Sequence, residues 1–550
     1  MKILRVLANS LLSGLFFSLL LSLLIADLNI NFQPGLSFYS RVTVFVAPLY
    51  GLVMAVFFFC LFFIAEFLFG RSARVKFISP SFLSLSFSFS LLIFILLMKL
   101  NYSFYRSFFS AFTSRQINLQ LAAASIMALG GFVVFWRFHR HRRRPIYFIT
   151  YFLIFFLGIG FMFWTRWRFP QPATSTRLTV LESFPVQKKA TLVNLEGLTF
   201  DLLIPLVHAG KLPNFSWLME NGSWGQLKTL SPTDPPILEK SLFSGKNPYG
   251  HRFLSPFGFR LWGKEPVLEA LPRFMLFKQL TRVNLLRAEA NVPRLQVKDI
   301  SLILEETKQK ISLFKLPAAA TEKISLSPKG EKVWLSFFPE AKTADSQLEI
   351  VRQALSRDLS LEERAYQEKT KNQPQVFFLC LNGLNQVETF FYKYSFPHLF
   401  GSIDQEKINR YGQVIEKYYQ FYDQLLGKYL ASLKEDETLV VFSTHGMEPL
   451  PLWKRLVEWI LGNPQVSGHY EFAPDGVIFF YGREIIRGRP LGQVRLIDIA
   501  PTLLYILGLP VARDMDGLVC NAVFRPEFSF ENPIFYIASY DEVAIKPAGR

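Results

Sequence analysis

Chemistry in this 550-residue chain has few side chains to draw on, with seven histidines and three cysteines in all. From Lys189 onward, short apolar runs alternate with amphipathic stretches, the pattern of an α/β domain with a mainly parallel sheet. Folds of this kind collect functional groups at the carboxyl ends of their strands. The spacing predicts strands at about 190–195, 376–380, 438–443 and 476–481. Near the ends of the first three stand Glu196-Gly197, Asn382-Gly383 and Thr444-His445-Gly446. A carboxylate and an imidazole are the residue types of acid–base and metal chemistry. Each also has a plainer reading. Glu196 can serve as an acid favoured by the dipole of the helix that follows it. His445 and His469 can be ordinary hydrogen-bonded histidines. No nucleophile elbow is present, so a Ser-His-Asp hydrolase has no motif behind it. Cys380 and Cys520 read as free, buried thiols, and with Cys60 in an apolar run a disulfide scaffold is excluded.

The elements that must position these residues are helices expected at about 200–220, 406–433 and 496–507. Ahead of them lies a different kind of chain. Half of all residues are hydrophobic and the mean hydropathy is +0.23, too apolar for an ordinary soluble enzyme and far too apolar for disorder. Apolar runs at 4–26, 42–69, 81–100, 117–136 and 146–164 are each long enough to cross a hydrocarbon core. The fourth carries small residues, among them Gly130-Gly131, that suit close helix packing. A cleaved signal peptide is the alternative for the first run, but four more runs follow it.

Charge is just as uneven. Residues 1–170 hold 16 Lys and Arg against Asp27 and Glu66, a net +14, whereas the remainder carries 44 bases and 41 acids. The pI of 9.6 therefore belongs to the apolar part, and a nucleic-acid partner is not expected. With a cytoplasmic N-terminus, Lys2, Arg5, Arg71, Arg74, Lys76, Arg137, Arg140, Arg142, Arg143 and Arg144 fall inside. Arg41, Lys99, Arg106, Arg115, Arg166 and Arg168 fall outside, so the excess of bases favours this orientation. The run from Arg137 to Arg144 reads as a topology determinant, with anionic lipid as an alternative partner. The expected organisation is five membrane helices over 1–168, a Pro- and Ser-rich linker over 169–188 containing Pro170, Pro172 and Pro185, and an exported α/β domain over 189–550.

Several stretches of that domain resemble one family. Asn194-Leu195-Glu196-Gly197-Leu198-Thr199-Phe200-Asp201 resembles the strand-to-helix opening of the type I phosphodiesterase and nucleotide pyrophosphatase branch of the alkaline phosphatase superfamily. Gly210-Lys211-Leu212-Pro213-Asn214 is similar to its GKLPN stretch, and Ser244-Gly245-Lys246-Asn247-Pro248 to its TGKNP stretch. Thr444-His445-Gly446 stands where that family has Asp-His-Gly. Asp498-Ile499-Ala500-Pro501-Thr502-Leu503-Leu504, Gly508-Leu509-Pro510 and Asp514-Met515-Asp516-Gly517 complete the order over roughly 188–525. The architecture is also similar to that of enzymes that transfer lipid head groups, the lipoteichoic acid synthases and phosphoethanolamine transferases, although their motifs are not evident.

The resemblance implies an alkaline-phosphatase-like fold, two divalent metals, usually zinc, and a Ser or Thr nucleophile. It places the first metal-binding Asp on Glu196 and the nucleophile on Pro235, which has no hydroxyl. The paired Asp and His fall on Asn385 and Thr389, the Asp of Asp-His-Gly on Thr444, and the surviving histidines are His445 and His469. A one-residue slip at 235 gives Asp234, and a two-residue slip makes Thr233 the nucleophile. His251 lies near a family motif but is not a ligand there. Amide and hydroxyl oxygens are poor zinc ligands, so the expected site is vestigial and no cofactor is expected. The alternative is an enzyme with one zinc or other divalent ion on Glu196, His445 and Thr444, using Thr233. A channel has little support, since Glu66 and Lys99 are the charges counted within those runs.

The reading is a membrane-anchored phosphodiesterase-like protein that binds a lipid, glycan or protein partner. The charge count makes one prediction directly. A reporter enzyme fused after residue 170 is expected to be active only outside the cytoplasm. Activity on the cytoplasmic side would contradict either the orientation or the number of spans.

Overall fold

The computed structural model describes residues 1–69, 76–140, 146–170, 179–182, 188–262, 264–273, 275–282, 284–291, 297–315, 325–338 and 345–546. Arg71, Arg74, Arg142, Arg143 and Arg144 of the charge argument, and Pro172 and Pro185 of the linker, lie outside the described residues. The chain forms two compact units. One comprises Met1–Thr174 and Arg252–Leu295, the other Ser175–His251 and Gln296–Arg550.

The first unit contains five helices long and apolar enough to cross a membrane. They are α1 (Lys2–Leu28), a bent second span made of α2 (Leu36–Val46) and α3 (Leu52–Phe69), α4 (Pro80–Phe104), α5 (Ala111–Arg140) and α6 (Ile146–Trp167). The bend is a π turn over Ala47–Gly51 that absorbs Pro48, whose nitrogen cannot donate. At this level α1 crosses so closely that a Cβ on Gly14 would lie 2.1 Å from the Gly51 carbonyl oxygen. The expected small-residue packing appears on α5, where a Cβ on Gly131 would meet Ser88 Oγ of α4 at 2.1 Å.

Helices α1 and α6 run slightly past the ends expected from hydropathy, and the added residues include Asp27 and Arg166. Both are buried, 3.8 Å apart, and Arg166 also donates to the carbonyls of Ala26, Asn29 and Phe32 at 2.8, 2.9 and 3.0 Å. The strands Phe257–Leu261, Lys264–Leu268 and Leu286–Ala290 form a small antiparallel sheet in the same unit. The chain between the second and third of these is tied to helix ends by polar side chains. Asn29 brackets Glu269 and Ala270, Asn101 Oδ1 accepts from Arg273 N at 2.8 Å, and Tyr105 donates to Leu271 O at 2.9 Å.

The second unit is built on an eight-stranded mixed, mainly parallel sheet. Its strands are β1 (Lys189–Leu195), β2 (Ser223–Lys228), β3 (Ile311–Phe314), β4 (Val376–Leu381) and β5 (Glu437–Phe442). A two-residue pair, β6 (Glu448–Pro449) with β7 (Gly468–His469), stands apart from it. Then β8 (Gly476–Tyr481) returns to the sheet, and short segments at 489–490 and 494–495 extend the β2 edge. The order is β2-β8-β5-β1-β4-β3, with β8 antiparallel to both neighbours and the run from β5 to β3 parallel.

Strands β1, β4 and β5 are almost wholly buried, which is why they read as unbroken apolar runs. Alternate residues feed two cores. Val193, Leu195, Leu379 and Val441 pack under α7 (Phe200–His208), α8 (Pro213–Asn221), α10 (Ser346–Asn372), α11 (Gly383–Ser395) and α12 (Val414–Ser432). Leu192, Phe378, Val440 and Ile478 pack on the other face, under α9 (Pro235–Ser244) and α14 (Ile499–Ile506). Between these in the chain, α13 (Leu452–Ile460) separates β6 from β7.

Two expected helices are each broken. The one at 200–220 divides into α7 and α8 because Gly210 takes φ +70° and Pro213 starts a new helix. The one at 406–433 divides around Gly412-Gln413 into Gln405–Tyr411 and α12. Helix α8 has no capping side chain of its own at Leu212. Asp423 of α12 takes that role, accepting from Phe215 N at 2.8 Å and from Asn214 N and Nδ2 at 3.3 and 2.8 Å. Replacing Asp423 with Ala leaves buried first-turn donors unsatisfied and is expected to cost about 2–3 kcal/mol. Asp423→Asn keeps one acceptor and is expected to lose roughly half as much. Thermal unfolding of the full chain checks the order; equal losses would show that the cap contributes nothing specific.

Candidate functional site

The site grows from the end of β1. Glu196 N donates to Leu381 O of β4 at 2.9 Å, and Gly197 N reaches Ser443 Oγ at 3.1 Å and His445 O at 3.3 Å beyond β5. Gly197 holds φ +102°, and a Cβ there would lie 2.7 Å from Glu388 Oε2 and 3.2 Å from Asn385 N. Only glycine fits this turn. It brings the loops after β1, β4 and β5 together, where strand ends of an α/β sheet place their chemistry.

Glu196, Asn385, Thr444 and His445, four of the positions carried over from the family, meet here. The Glu196 carboxylate receives hydrogen bonds from Asn385 and from the Cys380 thiol, whose sulfur is 3.6 Å away. Burial, only partly offset by those bonds, pushes its carboxyl up to about 7. Both ring nitrogens of His445 are engaged. Asn385 Nδ2 lies 3.2 Å from Nε2, and Thr444 Oγ1 lies 2.9 Å from Nδ1. An amide nitrogen only donates, so Nε2 accepts and Nδ1 carries the proton toward the threonine. Burial drives this imidazole down to about 4, which keeps it neutral. Thr389, one turn beyond Asn385 on α11, folds its hydroxyl back onto Asn385 O at 2.9 Å.

His469 sits beside this group on β7. Its Nδ1 accepts from Glu471 N at 3.3 Å and faces Glu448 at 3.5 Å, while Nε2 is buried without a hydrogen-bond partner. Burial lowers it to about 4 as well. Tyr470, the next residue, faces the His445 ring at 5.2 Å and feels the charges of both Glu196 and Asp234. Pro235 is the first residue of α9, Asp234 its N-cap, and Thr233 Oγ1 bonds Leu230 O at 3.2 Å. His251 stands elsewhere and bonds Ser241 at 2.9 Å. Cys380 and Cys520 are both free, as expected, but each is partly exposed rather than fully buried.

Two buried carboxyls lie behind these residues and were not singled out from the sequence. Glu388, between Asn385 and Thr389, has an Oε2 with no partner, and burial holds it well above the usual carboxylate range. Asp358 of α10 accepts from Tyr418 at 2.9 Å, Tyr422 at 3.0 Å and Gly383 N at 3.2 Å, and burial pushes it up to about 7. The available signal was positional. Glu388 lies one turn from Leu384 and Phe391 on a helix whose apolar face is buried.

The remaining motifs hold the scaffold. Lys246 pairs with Asp514 at 2.6 Å and Asp541 at 2.8 Å, while Asp516 accepts from Asn247 N at 2.8 Å and Tyr249 at 2.6 Å. The stretches 244–248 and 514–517 therefore clamp one another.

Residues 308–478 match the type I phosphodiesterase / nucleotide pyrophosphatase family. The match runs from just before β3 into β8 and includes Asn385, Thr389, Thr444, His445 and His469. No curated protein matches the chain.

The raised Glu196 carboxyl has a definite sign. A folded-state value near 7 against 4.5 for a free glutamate means that the folded state holds the proton more tightly. Its contribution is complete below the free value and is lost as pH rises through the folded value. Glu196→Gln is therefore expected to match the wild type at about pH 4 and to be more stable by about 2 kcal/mol at about pH 8, allowing for partial exposure. Melting temperatures across this window test it, and a pH-independent difference would remove the assignment.

Proposed function

We propose that this chain is a membrane-anchored protein whose phosphodiesterase-family domain binds its ligand without hydrolysing it. The observation that carries the reading is how the donors are used. His445 has both nitrogens engaged by uncharged neighbours, and Glu196 is the one carboxylate among the six carried-over metal positions. Two divalent cations need anionic oxygens and free imidazole nitrogens to offset their desolvation. Asn385, Thr389 and Thr444 offer neither. Among the described residues, no group of three or more His, Cys, Asp or Glu could hold a metal ion. These residues do not fit the zinc pair that the resemblance implies.

What the site offers instead is a neutral polar surface. Asn385 Oδ1 and His469 Nε2 are buried without partners, so a ligand would find unused hydrogen-bonding capacity there. A lipid, glycan or protein ligand of the membrane surface is the class we favour, with the chain inserted N-terminus inside and the α/β domain exported.

The alternative is a one-metal phosphodiesterase or phosphotransferase using Thr233. Elemental analysis and turnover separate the two on the full-length protein in detergent. The expected result is well under one zinc per chain after dialysis and no hydrolysis of nitrophenyl phosphodiesters or phosphomonoesters above background with zinc, manganese or calcium. Thr233→Ala is expected to be silent. Pro235→Thr alone is expected to stay inactive, because a hydroxyl without a bound cation remains protonated at neutral pH. Stoichiometric zinc lost on His445→Ala, or turnover lost on Thr233→Ala, would overturn the binding reading.

A further inference from the structure

Helix α13 is amphipathic in the wrong sense for a soluble domain. Leu452, Trp453, Leu456, Trp459 and Ile460 form one arc of it, and all five are between 57 and 78 % exposed. The charged residues face inward. Lys454 pairs with Glu471, and Arg455 donates to Leu450 O at 2.6 Å and Leu399 O at 3.0 Å while stacking over Phe400. Glu458 bonds Asn463 Nδ2 at 3.2 Å. No residue of the helix is buried. A surface helix normally turns its apolar stripe to the core and its charges to water. Here ionic and carbonyl contacts hold the polar face against the domain and leave the apolar arc outward. Phe472, 48 % exposed on the same connection, extends it.

We infer that α13 is an interfacial helix whose apolar arc lies in the headgroup boundary of the bilayer that the chain's own helices span. Three observations select the bilayer over another protein. The domain is covalently continuous with five helices apolar enough to cross a membrane, so the bilayer is the apolar phase always within reach of it. No charged residue falls within the arc, and the ammonium beside it, Lys454 over the Trp453 and Phe472 rings, is paired with Glu471, so the arc matches hydrocarbon and lacks the charge pattern that steers a protein partner. Trp453 and Trp459 lie at its two sides, and tryptophan favours the membrane–water boundary. The helix also closes the connection that carries His469 and Tyr470, so the surface it rests on adjoins the candidate site. A ligand with an acyl tail would meet those side chains without leaving the interface.

The inference rests on the membrane-anchored part of the reading above and is independent of whether catalysis survives. The test places a diazirine analogue of leucine at position 456 in the full-length protein, reconstituted in vesicles of phosphatidylethanolamine and phosphatidylglycerol. The same residue at Leu153, a lipid-facing position of α6, reports span insertion, and at Lys407 it reports a water-exposed surface. After illumination, phospholipid adducts are expected at 456 and 153, with about ten-fold less at 407. An adduct at 153 with none at 456 overturns the inference and leaves the anchoring intact. So does crosslinking of 456 to a second protein chain or within its own. No adduct at 153 sinks the anchored reading itself. The leucine analogue replaces a solvent-facing side chain of similar shape, so the fold is not at issue.

Discussion

The end of β1 is the constraint on which the second unit depends. One glycine, held at φ +102° and bonded through its nitrogen to Ser443 and His445, fixes how three strand-end loops approach. Because β1 lies between β4 and β5, in register with both over at least six residues, no loop can move without disturbing the central sheet. The buried runs that form those strands stabilise the sheet through apolar burial together with its hydrogen-bonded ladders. Polar side chains at the strand ends then have little water to turn to; most find a neighbour, while Asn385 Oδ1, Glu388 Oε2 and His469 Nε2 do not.

This explains a feature that no single residue reveals. The half-buried Glu196 and the buried Asp358 and Glu388 lie near one another in the chain's fold, and none forms an ion pair with a lysine or arginine among the described contacts. Burying an unpaired charge costs several kcal/mol, so burial makes each of these acids hold its proton more tightly than a free carboxyl. Asp358 is cradled by two tyrosine hydroxyls and one backbone N–H beneath the Asn382-Gly383 turn, which makes it a rigid support for the first turn of α11. Asn385 and Thr389 stand on that helix. The uncharged residues at 385, 389 and 444 and the protonation of the acids behind them are thus two expressions of one electrostatic environment, low in charge throughout.

Much of the architecture was legible in the sequence, and the physical reason differs by part. The five long apolar helices follow from run length, which the bilayer dimension sets directly. The buried parallel strands were legible because burial on both faces leaves no polar residue to blur them. Helix continuity was not: an apolar period passes through Gly210 and Gly412 unchanged, although each break is a backbone event. Asp27 and Arg166 fell outside the expected spans because hydropathy counts them as polar, whereas in the bundle both are buried as an ion pair whose arginine is bonded to the carbonyls of Ala26, Asn29 and Phe32. The convergence of Glu196, Asn385, Thr444 and His445 was expected from the family resemblance, and the structure brings these four together. Glu388 and Asp358 were hidden, since a carboxylate within a helix is ordinarily a solvated one and the sequence does not say which face is covered.

The same ambiguity, reversed, applies to α13. Its sequence announces an amphipathic helix but not which side the domain will hold. The decision belongs to contacts far along the chain: Glu471 for Lys454, and the carbonyls of Leu399 and Leu450 for Arg455. Each inward contact satisfies a charge that would otherwise be solvated, at little net gain in water. Exposing two tryptophans and three aliphatic side chains forfeits far more, since a fully buried residue of that size is stabilised by about 1.5–3 kcal/mol. An arrangement that forgoes that burial is what the proposed interfacial role of the helix accounts for, in a chain whose first unit has five helices long and apolar enough to cross a membrane.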